Sequence, residues 1–232
     1  MTDLLAAEWL KLRSLRSTWW TPALTGLAVV TSALLSAQGH DEHTAFPLAG
    51  YLILMIVAVA SGAGMISAEY ATGLIRATTV AVPARGELLV AKAVVLAAVW
   101  TVAGSVFTVA SFLASAGFAS AGAFAGAILV APVCAVIGLG LGVLIRHGAA
   151  AAVTGIILLA LVPQLLSTRR PLTVAVNHAM VLPAWQRLTH SYGPPGHVGH
   201  LYPGLPAAVV VYVVWPVAIM AAALVTIRRR DV

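Results

Sequence analysis

The sequence predicts an all-α membrane protein in which six transmembrane helices form a single domain over residues 1–232. Hydrophobic residues make up 61% of the chain and charged residues only 9%, whereas a soluble domain is about 25% charged. A chain this apolar cannot cover itself with a polar surface, so we expect it to reside in a membrane. No internal repeat and no separate soluble domain is recognisable between its apolar runs.

Six apolar runs supply the predicted spans, and each is near or above the roughly 20 residues needed to cross a bilayer. The predicted spans cover residues 19–37, 46–67, 88–118, 119–145, 149–166 and 207–227. The first run follows a basic segment, as a secretory signal does, but its apolar part is too long for a typical signal core. We therefore interpret it as a true span that begins with Trp19 and Trp20 at the membrane interface.

Basic residues are spread among the ends of these runs, so the net charge of +6 does not indicate a nucleic-acid partner. If the runs cross in turn, ten of the 13 Lys and Arg residues lie on the side of the N-terminus and three on the other side. The positive-inside rule then predicts a multi-pass protein of the plasma membrane with both termini in the cytoplasm. Residues 68–87 would be cytoplasmic, and residues 167–206 extracellular.

The first 18 residues predict a moderately amphipathic helix that lies in the membrane interface. Trp9 and several leucines share one arc of this helix, while Lys11 and Arg13 supply charge for lipid headgroups. Glu8 and Arg16 intrude on the apolar arc. The alternative is a basic flank that only sets the orientation of the first span.

The segment 68–87 carries both signs of charge and turn residues of its own. Gly73 interrupts a helix that runs in from the second span, and Pro83 suits the first turn of a new helix. We expect a helix that ends near Gly73, a short helical turn over residues 74–79, a kink, and a new helix from Pro83. The alternative is a solvated linker between two spans.

The polar stretch 167–206 contains arginines, histidines and several prolines, and its middle part, 174–188, is apolar enough for a short helix on the membrane surface. His197 and His200 have the spacing of metal ligands, and imidazole binds zinc or copper well. No cysteine joins them, so ordinary loop histidines are the favoured interpretation and a metal site is the weaker alternative.

Small residues recur on the faces of three spans. The hydroxyl residues predict close helix packing or, alternatively, a surface that faces substrate; those considered are Thr21 and Thr25 in the first span and Thr101, Ser105 and Thr108 in the third. Two glycine pairs of the form G-x-x-x-G, 122 with 126 and 138 with 142, predict close-packing faces in the fourth span.

The segment after the second span contains EYATGLIR at 69–76, PAR at 83–85 and AK at 91–92. This order of residues resembles the pattern acid-x-x-x-Gly-x-x-Arg, Pro-x-Arg and Gly/Ala-Lys of ABC transporter type 2 permeases. The similarity is greatest to the small six-span exporter subunits common in actinobacteria. The stretch EWLKLRS at 8–14 resembles the interfacial "elbow" helix of that family, and VLP at 181–183 and RRDV at 229–232 also match it. These stretches are spread along the chain, and the resemblance extends over essentially its whole length.

The resemblance implies that residues 68–87 form a cytoplasmic coupling helix that docks on an ABC ATP-binding subunit. The implied coupling residues are Glu69, Tyr70, Gly73, Leu74, Ile75, Arg76, Pro83 and Arg85, and the implied elbow residues are Trp9, Lys11 and Arg13. The family's second motif residue is often basic, and here it is Tyr70. Short membrane-dipping helices are expected before the last span.

The implied function is that of a transport subunit of an exporter, without enzymatic activity of its own. No G-x-x-x-x-G-K-[ST] motif occurs, so ATP and Mg²⁺ are expected in the partner subunit. A second permease copy, identical or related, and membrane lipids complete the expected partners. The expected substrate is an amphipathic, drug-like or lipid-like molecule.

Two alternatives come from other functional classes. One is a membrane anchor or sensor that recruits the ATPase without moving a substrate. The other is an intramembrane hydrolase, which needs a nucleophile or metal ligand paired with a histidine or carboxylate at membrane depth. The acids and histidines of this chain lie at span ends or in loops, and no G-x-S-x-G motif occurs.

Overall fold

The computed structural model describes residues 2–14, 17–38, 45–71, 85–115, 119–166, 171–191 and 203–229. All regular secondary structure in this part of the chain is helical. The helices are α1 (Thr2–Ser14), α2 (Ser17–Gln38), α3 (Leu48–Ala71), α4 (Arg85–Ser115), α5 (Ala121–Ile145), α6 (Gly148–Leu165), α7 (Pro171–His178), α8 (Val181–Thr189) and α9 (Leu205–Arg229).

Six of these helices, α2 to α6 and α9, are long and apolar enough to cross a membrane. They confirm the six predicted spans and the multi-span class of the protein. The second span continues to Ala71 and the third begins at Arg85, so each is longer at this end than the apolar run alone suggests. Glu69 and Lys92 therefore lie inside helices.

Helix α5 forms the centre of the bundle. Within its most apolar window 67% of the residues are buried, compared with 22% for both α2 and α9, which lie at the periphery. Helix α3, with 50% of its window buried, packs directly on α5. These two helices provide the frame on which the remaining helices are positioned.

Glycines bring α3 and α5 into backbone contact. A methyl group on Gly62 would overlap the carbonyl oxygen of Ala135, and one on Gly138 would overlap that of Val59. A methyl group on Gly142 would overlap the side chain of Ile66 in α3. The predicted close-packing face at residues 138 and 142 is thus confirmed, with α3 as its partner.

The two glycines of the other pair, Gly122 and Gly126, have different surroundings. Gly126 lies against the side chain of Leu188 from α8, so no Cβ fits there without displacement. A Cβ on Gly122 would meet only the hydroxyl of Ser120, at 3.9 Å. The prediction of a packing face is therefore correct for Gly126 and wrong for Gly122, because Gly122 lies in the first, exposed turn of α5.

Helix α6 widens into a π-helical turn over Ile157–Leu161, which the sequence pattern does not predict. Pro163 lies two residues after this turn, and its ring would clash with the carbonyl of Leu159 in a regular α-helix. A local π turn is one way in which a helix accommodates such a clash. The side chain of Gln164 donates to the carbonyl oxygen of Ala160 at 2.8 Å within this turn.

The predicted single helix over 174–188 is wrong in two respects. Two helices, α7 and α8, cover this region, and a turn at residues 179–180 separates them. Pro183 accounts for the break, because in one continuous helix its ring would clash with the carbonyl of Ala179. In addition, α8 packs into the protein instead of lying on its surface, since Val181 and Trp185 are fully buried.

Contacts of α8 place it at the N-terminal end of α3. The ring of Trp185 stacks on that of Tyr51 with centroids 5.0 Å apart. The Tyr51 hydroxyl donates to Thr108 of α4 at 3.1 Å, and the Ser191 hydroxyl donates to the carbonyl of Phe46. Because Glu69 lies in the last turns of α3, α8 and Glu69 are at opposite ends of the bundle.

Candidate functional site

A buried group of charged side chains lies where three helices meet. Glu8 is on α1, Glu69 is near the end of α3, and Lys92 is about two turns into α4. These residues are 6%, 2% and 1% exposed. Residues 72–84 connect α3 to α4, so the group joins α1 to both helices that flank this connection.

The ammonium group of Lys92 is the centre of the group. It donates to the two carboxylate oxygens of Glu8 at 2.8 Å and 2.7 Å, and to Oε1 of Glu69 at 2.6 Å. A lysine ammonium has three donors, so all of them are used. Lys11 of α1 also donates to Oε1 of Glu69. We call Glu8, Lys11, Glu69 and Lys92 the ion cluster.

The ion cluster balances two positive charges with two negative charges. A buried charge without a partner costs several kcal/mol, and removing one partner of a buried pair typically costs about 3–5 kcal/mol. Lys92, Glu8 and Glu69 are enclosed by protein, whereas the Lys11 side chain is 39% exposed. The three enclosed groups therefore depend on each other, and Lys11 is the solvent-facing member.

One face of α1 supplies two members of the ion cluster. Glu8 and Lys11 are three residues apart, which places them next to each other on a helix surface. Both point at the ends of α3 and α4, so the ion cluster fixes the rotation of α1 about its own axis. Trp9 and Arg13 are consequently on the exposed side of α1.

One oxygen of the ion cluster, Oε2 of Glu69, is buried and accepts no hydrogen bond from the described part of the chain. A carboxylate oxygen in this position is an acceptor for a further donor at the base of the connection between α3 and α4.

The predicted coupling residues are divided by the bounds of the described structure. Glu69 is buried within the ion cluster, and Tyr70 lies in the last turn of α3. Arg85 is the first residue of α4. The predicted turn over 74–79, together with Gly73, Leu74, Ile75, Arg76 and Pro83, lies outside the described residues.

The ion cluster itself is not predicted by sequence reasoning. Lys92 lies one turn inside its apolar run, a position from which the charged end of a lysine is expected to extend toward water at the loop side. The structure instead buries Lys92, which is 1% exposed, against Glu69 and Glu8. The pairing with Glu8 was missed. The available signal is the intrusion of Glu8 on the apolar arc of α1, because a carboxylate on a buried face requires a cation.

Hydroxyl side chains of α2 and α4 bond within the protein. Thr25 donates to the carbonyl of Thr21, Thr101 to that of Ala97 and Ser105 to that of Thr101, each one turn back in the same helix. Thr108 accepts from Tyr51 and is fully buried. These contacts favour the helix-packing interpretation at Thr25 and Thr108, which are buried between helices.

The predicted weak metal pair, His197 and His200, lies outside the described residues. Within the described ranges no three histidine, cysteine or acidic side chains are arranged to hold a metal ion. The ion cluster is not such a site, since its carboxylates are occupied by lysine ammonium groups.

Comparisons with known proteins do not assign this chain to a family. No protein-family model matches the sequence, and no curated protein is significantly similar to it.

Proposed function

We propose that this chain is the membrane-spanning permease subunit of an ATP-driven exporter of the ABC type 2 class. The observation that carries the proposal is the ion cluster, which ties α1 to both helices flanking residues 72–84. In the proposed function, residues 68–87 dock on an ATP-binding subunit. Motion of this segment would be transmitted to α1, α3 and α4 together, because the buried ionic contacts that join these helices are costly to break.

The energy for transport is proposed to come from a separate chain that binds ATP and Mg²⁺. The sequence has no phosphate-binding loop. In the described spans, acidic and basic residues occur only within about three turns of a helix end. Proton relays and ion sites are usually marked by ionisable residues near mid-depth, so an ATP-driven partner fits this distribution better than ion coupling does.

The transport route is proposed to lie between two permease copies. A single bundle of six spans is centred on α5, whose apolar window is mostly buried in protein, and no space for a sizeable substrate is expected through it. The proposed substrate is an amphipathic, drug-like or lipid-like molecule that moves out of the cell. Native mass spectrometry of the purified complex counts the copies, and a transport-active complex with one permease chain would contradict this arrangement.

Replacing Arg76 with alanine is expected to weaken association with the ATP-binding subunit and to abolish export, while the protein still inserts in the membrane. Removing one partner of a desolvated interfacial ion pair costs about 2–5 kcal/mol in binding. The measurement is co-purification of the ABC ATP-binding chain encoded nearest to this one, together with export from cells.

The control is the double variant His197→Ala/His200→Ala, which we expect to keep both association and export because the predicted topology places it on the opposite side. The proposal fails if the Arg76 variant keeps both properties and the histidine variant loses them. If the native protein binds the ATP-binding chain but no export accompanies ATP hydrolysis, the chain is a membrane anchor and not a permease.

A further inference from the structure

The exposed face of α1 is distinct from the face that carries the ion cluster. Trp9 and Leu10 are 44% and 63% exposed, and Arg13, one turn after Trp9, is also exposed. Glu8 on the other face is held by Lys92. The same contacts that dock α1 on the bundle therefore turn Trp9, Leu10 and Arg13 outward.

Two further tryptophans extend this exposed face onto α2. Trp19 and Trp20 lie in its first turn and are 57% and 67% exposed. The indole N–H of Trp19 donates to the backbone carbonyl of Arg13 at 3.4 Å, which holds the start of α2 against the end of α1. We call Trp9, Arg13, Trp19 and Trp20 the tryptophan corner.

The tryptophan corner differs from the other tryptophan environments in the protein. Trp100 and Trp185 are 2% and 0% exposed, and the indole of Trp100 donates to Ser61 within the bundle. The indole N–H groups of Trp9 and Trp20 donate to no residue in the described ranges. The indole N–H of Trp185 also has no partner there, but that side chain is buried, whereas Trp9 and Trp20 are exposed. Three of the six tryptophans are thus gathered, exposed, at one corner.

The polar groups that the tryptophan corner offers are hydrogen-bond donors. The Arg13 guanidinium has five N–H donors and no acceptor, and each indole has one donor. Arg13 forms no ion pair with a described acidic residue, and the nearby carboxylate of Glu8 is already occupied by Lys92. Leu24 and Leu27, one and two turns further along α2, are 61% and 64% exposed and continue the surface as a purely apolar one.

A ligand that matches this surface has acceptor oxygens, negative charge and a long apolar part. A phospholipid has all three, because its phosphate and ester oxygens are acceptors and its acyl chains are apolar. Tryptophan is favoured at the membrane–water interface, where one end of its ring contacts water or headgroups and the other end contacts apolar acyl chains. An arginine without a neighbouring free carboxylate favours a headgroup with net negative charge over a zwitterionic one.

We propose that the tryptophan corner is a binding site for an anionic phospholipid. Arg13 binds the phosphate, the indoles of Trp9 and Trp20 donate to phosphate or ester oxygens, and an acyl chain runs along Leu24 and Leu27 of α2. The inference does not depend on the proposed ATP-binding partner. It assigns to α1 a second contact, with the lipid leaflet, in addition to the ion cluster.

The test is native mass spectrometry of the purified protein released from nanodiscs that contain equal amounts of phosphatidylglycerol and phosphatidylcholine. We expect adducts of the native protein to favour phosphatidylglycerol. Arg13→Gln should reduce that preference about fivefold, the effect of one basic residue near an anionic surface. Trp9→Leu/Trp20→Leu should shorten the retention of either lipid, because both indole donors are lost.

Arg229→Gln is the matched control, since Arg229 is also an exposed cation but lies at the end of α9. It should leave the lipid preference unchanged. The proposal is overturned if Arg13→Gln keeps the native preference, or if Arg229→Gln lowers it as much, because the effect would then follow net charge and not this site. Because Arg13 is exposed, its replacement leaves the fold intact, which the thermal midpoint of unfolding verifies.

Discussion

Replacing Lys92 with methionine is expected to destabilise the protein by about 3–5 kcal/mol, the cost of leaving buried charges without their partner. Glu8 would lose the donors to both of its oxygens, and Glu69 would keep only Lys11. Helix α1 should then leave the bundle. The measurements are the thermal midpoint in detergent and the rate of hydrogen exchange over residues 2–14, which should rise.

Two further variants separate lost charge balance from lost packing. Lys11→Met should have a smaller effect than Lys92→Met, since the Lys11 side chain is 39% exposed and water screens its charge. The triple variant Glu8→Met/Glu69→Met/Lys92→Met removes all three enclosed charges and should recover most of the stability, as apolar replacements of similar volume for buried ion pairs often do. A triple variant no more stable than Lys92→Met would contradict the electrostatic explanation.

Alanine at Gly138 is expected to lower the yield of folded protein strongly. The new methyl group would overlap the carbonyl oxygen of Val59, which belongs to the backbone of α3 and cannot rotate away. Overpacking typically costs about 1–3 kcal/mol, and a clash with backbone places this change at the upper end. Gly62→Ala should have the same effect, because its methyl group on α3 would overlap the carbonyl oxygen of Ala135 in the backbone of α5.

Gly64 provides the matched control for these substitutions. It lies on the same helix as Gly62, but a Cβ there would have no neighbour within 4 Å. Gly64→Ala should therefore be neutral, or more stable by up to about 1 kcal/mol, because alanine is the better helix former. Size-exclusion profiles and thermal midpoints of the three variants test the prediction, and equal losses at residues 62 and 64 would show that the effect is not due to the α3–α5 contact.

The spans of this protein were predictable because they depend on local sequence alone. Twenty or so apolar residues between polar ends define a span whatever its neighbours are. The prediction failed for the helix expected over residues 174–188, because Pro183 breaks that helix and the apolar side chains of α8 face Tyr51 instead of lipid. An apolar helix face predicts burial, but it does not distinguish lipid from protein as its partner.

The ion cluster was only half predictable for a related reason. The position of Lys92 one turn inside its apolar run indicates that its side chain extends toward residues 68–87, but not that it ends in a buried ion pair instead of in water. Its partner Glu8 is far away in the chain, and only the docking of α1 brings the two together. Two signals are present in the sequence: a carboxylate on the apolar side of α1 and a lysine inside a span. Each of these buried charges requires a partner of opposite charge, so the two together indicate an ion pair.

The docking of residues 68–87 on an ATP-binding subunit is tested most directly by site-specific cross-linking. A photoreactive amino acid is placed at Ile75, with a second variant that carries it at Val198 as the control, and each is co-expressed with the ABC ATP-binding chain encoded nearest to this one. The proposed function predicts a cross-link from position 75 to the ATP-binding chain and none from position 198. Cross-linking from position 198 alone, or from neither position in a complex that is active in export, would contradict it.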